Sequence, residues 1–191
     1  ETRSISAADA EGNVAASGGR AEFSLATSKA TLWKKGRGKL GVLDPLIGSW
    51  QAEADTPMGR VRCTRKFSRI LHGKRILIEA RWHLPASVYE EHAVYGPDAS
   101  GALAFWSFTS DGKQSQGSLT DASDIHPEAV AFEAEMPAGV ARMVYWPDGE
   151  GGVFWVVESK TKKGWNRFAL HRYVAAPDRE VTMHVGVRAA A

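Results

Sequence analysis

From Leu46 to Val174 apolar and polar side chains alternate in short segments of roughly 6–10 residues, each bounded by turn-forming residues. No stretch there keeps a 3.6-residue apolar period over three turns. Such a chain must pair its strands with one another and hide the outermost edges. Closure into an antiparallel barrel does both. The segments predict strands over 48–55, 59–70, 74–84, 88–96, 102–110, 113–121, 128–136, 139–147, 152–160 and 165–175. Ten is an even number, so an up-and-down barrel can close its last strand on its first. Asp111-Gly112, Asp148-Gly149 and Lys163-Gly164 supply hairpin turns, and Val42 to Ile47 reads as a short helical turn capping one mouth.

The flanks differ. Residues 1–39 are rich in Ala, Ser and Gly, with too little to bury against the entropy of ordering, and read as a flexible tail. The barrel is expected over 40–176, and 177–191 as a tail or an edge strand built on Val181, Met183, Val185 and Val187. With 24 basic and 22 acidic residues the net charge is +2, which does not point to nucleic acid. No apolar run reaches the ~20 residues of a membrane span. The lone Cys63 and the lack of a secretory apolar region suggest the cytoplasm.

A barrel strand sends alternate side chains into the lumen. On the second strand Val61, Cys63, Arg65, Phe67 and Arg69 share a face, which makes Arg65 and Arg69 lumenal candidates. Trp82 belongs to the corresponding set on the third strand. A dry arginine needs a partner or an anionic ligand, and Glu79 is the internal partner expected. On the last strand Trp165, Arg167, Ala169, His171 and Tyr173 share a face, so His171 and Tyr173 join the candidates. From Arg60 to Arg81 there are eight lysines and arginines against one acid. Closure brings that segment near the basic last strand, giving one basic flank. Glu90 with His92, and Asp121, Asp124, His126 and Glu128, are acid–histidine groupings without a recognised metal spacing. No nucleophile elbow, phosphate-cradling loop or dinucleotide fingerprint is present, so no reaction is indicated.

Gly48-Ser49-Trp50, at the start of the first strand after a helical turn, resembles the opening of the lipocalin (calycin) superfamily. The span 40–175 is similar to lipocalin-like domains of the uncharacterised bacterial type and, more distantly, to nitrobindin. The resemblance implies that Gly48 and Trp50 form the barrel floor and that a basic residue of the last strand, Arg172 or Arg167, stacks over the indole. It also implies a haem alternative, with His171 as axial ligand and chemistry on reactive nitrogen or oxygen species. This chain reads Gln51-Ala52-Glu53-Ala54 where nitrobindins carry a longer glycine-rich opening. The leading expectation is a container for a small apolar ligand, with an anionic end held by a lumenal arginine and no cofactor.

Overall fold

The computed structural model describes residues 33–56 and 59–177 of the 191. A 3-10 helix (Lys39–Leu46) precedes ten strands: β1 (Gly48–Thr56), β2 (Gly59–Ile70), β3 (Arg75–His83), β4 (Val88–Pro97), β5 (Leu103–Thr109), β6 (Gln114–Thr120), β7 (Val130–Met136), β8 (Gly139–Pro147), β9 (Val153–Thr161) and β10 (Gly164–Ala175). Each strand pairs antiparallel with the next, and β10 returns to β1, closing an up-and-down barrel. The strands and the helical turn lie where the alternation places them, within a few residues. Most of the expected N-terminal tail, and the segment from Val181 to Val187, fall outside the described residues. Trp33 already packs against the core.

The inward residues are those the period of two selects. Val61, Cys63 and Phe67 on β2, Ile76, Ile78 and Ala80 on β3, and Val130 and Phe132 on β7 are all buried. Leu43 and Leu46 of the helix plug one end and are fully buried themselves. Gly117 on β6 lies opposite Phe105, and a Cβ there would sit 2.2 Å from the carbonyl oxygen of Glu133. Gly117→Ala is therefore expected to lower unfolding free energy by about 1–2 kcal/mol in urea denaturation, the cost of forcing a methyl into packed backbone. A variant as stable as the wild type would place β6 further from β7.

Outside the barrel, the β6–β7 connection folds back. Ala122, Ile125 and Ala129 cover Ala131, Val144 and Val156. Arg142 fastens this flap, forking onto Asp124 at 2.9 and 2.6 Å and donating to Glu158 at 2.9 Å. The acid–histidine grouping of that loop is thus dispersed: Asp124 serves Arg142, and Nδ1 of His126 accepts from the Glu128 amide. Glu90 and His92 lie on an outer face, Glu90 paired with Arg81. Among the described residues no cluster of three or more metal-ligating side chains occurs. None of their helices is long and apolar enough to cross a membrane.

β10 departs from simple alternation. Its register against β9 shifts between Arg167 and Ala169, a bulge at Phe168. The extra residue reverses the faces on one side of it. Ala169, His171 and Tyr173 remain inward, whereas Arg167 sits opposite the outward Glu158 and pairs with it. Trp165 likewise lies outside, beneath the Arg142 guanidinium at 4.2 Å. The single face expected for all five residues is therefore two faces.

Candidate functional site

The floor is built by the first turn of chain before β1. Gly48 has φ of 129°, a conformation side chains rarely adopt, and starts β1 directly after the helix. Two residues on, Trp50 is buried and its Nε1–H donates to the Leu46 carbonyl at 2.7 Å. Its indole separates two spaces. Below it, outside the barrel, is a cleft of about 540 Å³ lined by Trp33, Trp50, His126, Glu128, Asp148 and Val153 among others. Above it is a small space of about 10 Å³, touched by Leu46, Arg65, Phe67, Tyr145 and Tyr173. That void has room for about one water.

No arginine of β10 stacks on Trp50. Arg172 points outward, its Nε 2.7 Å from Asp148 and Nη2 2.7 Å from Glu150, both on the β8–β9 turn. Arg167 belongs to Glu158. The lumenal arginine is Arg65 of β2, the register partner of Trp50, and it stacks on other rings.

Arg65 is 2% exposed and sits at the centre of the lumen. Its Nε donates to the Tyr173 hydroxyl at 3.0 Å and its Nη1 to the Tyr145 hydroxyl at 2.8 Å. Its guanidinium carbon lies 4.0 Å from the Trp155 ring centre and 5.1 Å from that of Trp82. Aromatic faces attract a cation, and more so when both are desolvated. Yet no carboxylate among the described residues lies within ion-pair distance of it, and its Nη2 has no hydrogen-bond partner. Glu79 is on the outer face, opposite Lys66, because β3 turns Ile78 and Ala80 inward. The lumenal acid is Glu91 on β4, opposite Ala80 and engaged by the Ser107 hydroxyl at 2.7 Å.

Four of the five lumenal candidates meet here: Arg65, Trp82, His171 and Tyr173. Arg69 does not. The end of β2 carries it past the wall, where its exposed side chain pairs with Asp44 of the helix. Tyr145, Trp155, Tyr95 and Glu91 complete the lumen. Sequence reading did not single out Tyr145, Tyr95 or Glu91 as site residues, although each lies on the inward set of its strand. Nε1 of Trp155 and the hydroxyl of Tyr95 are also buried without partners.

Burial, aided by the neighbouring Arg65 charge, lowers the His171 pKa to about 4, so the ring is neutral at neutral pH. Its Nδ1 is 3.5 Å from the Tyr173 hydroxyl. Burial raises Tyr173 to about 12 and Cys63 to about 11, against the pull of Arg65. Both therefore stay protonated and neither is an activated nucleophile. The lumen thus holds hydrogen-bond donors, one buried positive charge on Arg65 and one acid, Glu91, beyond ion-pair distance of it. A haem on His171 would need a slot of macrocycle size beside the ring. That ring is flanked instead by Trp155 at 5.2 Å and Tyr173 at 6.0 Å. The space beside Arg65 holds about 10 Å³, and the large cleft lies beyond Trp50 without His171 in its lining. As packed, these residues do not fit a haem, and no chemistry is routed through one.

The fold and the site together define a closed antiparallel barrel with Trp50 across its floor and a buried arginine in its lumen. Comparison with protein-family models and with curated proteins finds no match for this chain.

Proposed function

We propose that the barrel is a binding protein of the lipocalin-like type for a small, mainly apolar ligand whose anionic end is received by Arg65. The observation that carries this reading is the buried guanidinium with no carboxylate partner and an unpaired Nη2. Leaving a charge dry and incompletely bonded is costly, so such a group either has its solvation replaced by the fold or awaits an acceptor. Two phenols and two indoles supply part of that replacement here, and an oxyanion supplies the rest. The space beside Arg65 holds about 10 Å³ as packed, so the ligand is received only as the half-buried apolar wall of Trp82, Met143, Val157 and Ala169 moves aside.

The test is a fluorescence titration with cis-parinarate and with its neutral methyl ester. Arg65→Met keeps aliphatic reach but removes every donor. It is expected to weaken parinarate binding by about 1.5–3 kcal/mol, roughly 10–150-fold, the value of a hydrogen bond to a charged group. The ester should bind both proteins alike. Equal affinity of both probes for both proteins would mean that no anion meets Arg65, and the reading would fail.

A further inference from the structure

Nine residue pairs join β1 to β2 and nine join β10 to β9, but only two join β1 to β10. These are Trp50↔Ala175 and Gln51↔Val174, reinforced by the Ala176 amide donating to the Ser49 carbonyl at 2.8 Å. The barrel is zipped along this seam at the floor alone. Beyond it β1 runs on to Thr56, and β10 runs back through Tyr173 to Gly164, with no ladder between them. The bulge at Phe168 gives a cause, since an extra residue bends its strand and increases its twist.

From these features we infer that the unzipped part of the β1–β10 seam is a lateral door through which an anion-headed apolar ligand reaches Arg65. The inference rests on the ligand reading above. Behind the seam stand His171 and Tyr173, the latter already bonded to Arg65 on the next strand but one. The inward side chains along the β1 lip, Ala52 and Ala54, are small, so little bulk has to move for the seam to part. Outside, Leu170 is 46% exposed on the β10 lip. The β1 lip carries Glu53, which pairs with Arg60 of β2, and Arg172 of the β10 lip is held by Asp148 and Glu150. Arg62, exposed on β2 one strand away, is the cation that attracts an anion towards the seam. Strand edges without a ladder open at low cost in free energy, so the motion needs no unfolding of the barrel.

The experiment is stopped-flow binding of cis-parinarate to a seam-locked protein. Continuing the register pairs Glu53 with Arg172, so Glu53→Cys and Arg172→Cys in a Cys63→Ala background place two thiols across the lips. Ala54→Trp, tested separately, fills the passage without any cross-link. Oxidising the cysteine pair is expected to slow association and dissociation together by about tenfold or more, as a shut gate does, with Kd nearly unchanged. Reduction should restore both rates. Ala54→Trp should slow association similarly, and it decides the question if the cross-link does not form. Wild-type rates in the locked and plugged proteins would overturn the door while leaving the ligand reading intact. If the wild type binds no parinarate, the ligand reading fails and the door falls with it.

Discussion

Replacing Trp50 with alanine is expected to lower the unfolding free energy by about 3–5 kcal/mol, the usual cost of removing a large buried aromatic. Three losses combine. The indole is 4% exposed, so its transfer energy and its packing against the core are forfeited. The Leu46 carbonyl loses its Nε1–H donor inside the protein. And the partition between the outer cleft and the void beside Arg65 disappears, admitting water from below to a guanidinium held dry. Urea denaturation followed by far-ultraviolet circular dichroism reads the effect, and the Arg65 consequence can be separated from it. Trp50→Phe keeps a ring over the void but lacks the donor, so it should recover more than half of the loss. A midpoint for Trp50→Ala equal to the wild type would show that the floor is sealed by something other than this side chain.

Acid should destabilise the barrel before ordinary carboxylate titration does so. The folded pKa of His171, about 4, lies below its unfolded value of 6.5. Between those values the unfolded chain binds more protons than the folded one, so stability rises with pH across the window. The contribution is present in full above pH 6.5 and is lost as pH falls towards 4. In total it amounts to roughly 3 kcal/mol, of which about 2 kcal/mol disappears between pH 7 and 5. Arg65 faces the same ring from β2 and stays charged throughout, so protonation would set two cations together in a dry lumen. His171→Phe removes the titrating group and should flatten the pH dependence over that range. If the wild type and His171→Phe lose stability in parallel from pH 7 to 5, the imidazole is in contact with water and its pKa is ordinary.

The placement of the strands was legible because a strand's exposure pattern is written in neighbouring residues. Val61, Cys63 and Phe67 flank Arg65 on one face, so its inward direction follows from the pleat alone. The same reasoning failed at Arg69. The alternation was right, but β2 outruns the wall, and a side chain beyond the rim is no longer in the lumen. It failed again at Trp165 and Arg167, where one extra residue at Phe168 reverses the faces without any mark in composition. Glu79 and Glu91 illustrate a different limit. On β3 the alternation that turns Trp82 inward already sends Glu79 out, whereas on β4 both sets are mixed and only the pairing Ala80↔Glu91 decides that Glu91 is inside. An arginine of β10 was expected over Trp50 and none lies there; the arginine that does meet an indole is Arg65 of β2, on Trp155, a residue far along the chain.

The class of fold, the number of strands, the floor motif and the presence of a buried arginine follow from the order of residues along the chain. Each of these depends on period, on turn chemistry or on contacts within a few residues. The tertiary structure decided what surrounds that arginine. Tyr145, Trp155 and Tyr173 arrive from strands β8, β9 and β10, and their convergence needs a closed barrel with a fixed register. It decided equally that β1 and β10 meet at only two pairs. Local sterics write a strand's period into each segment, whereas the partner across a lumen or a seam is set by closure, which no segment encodes alone.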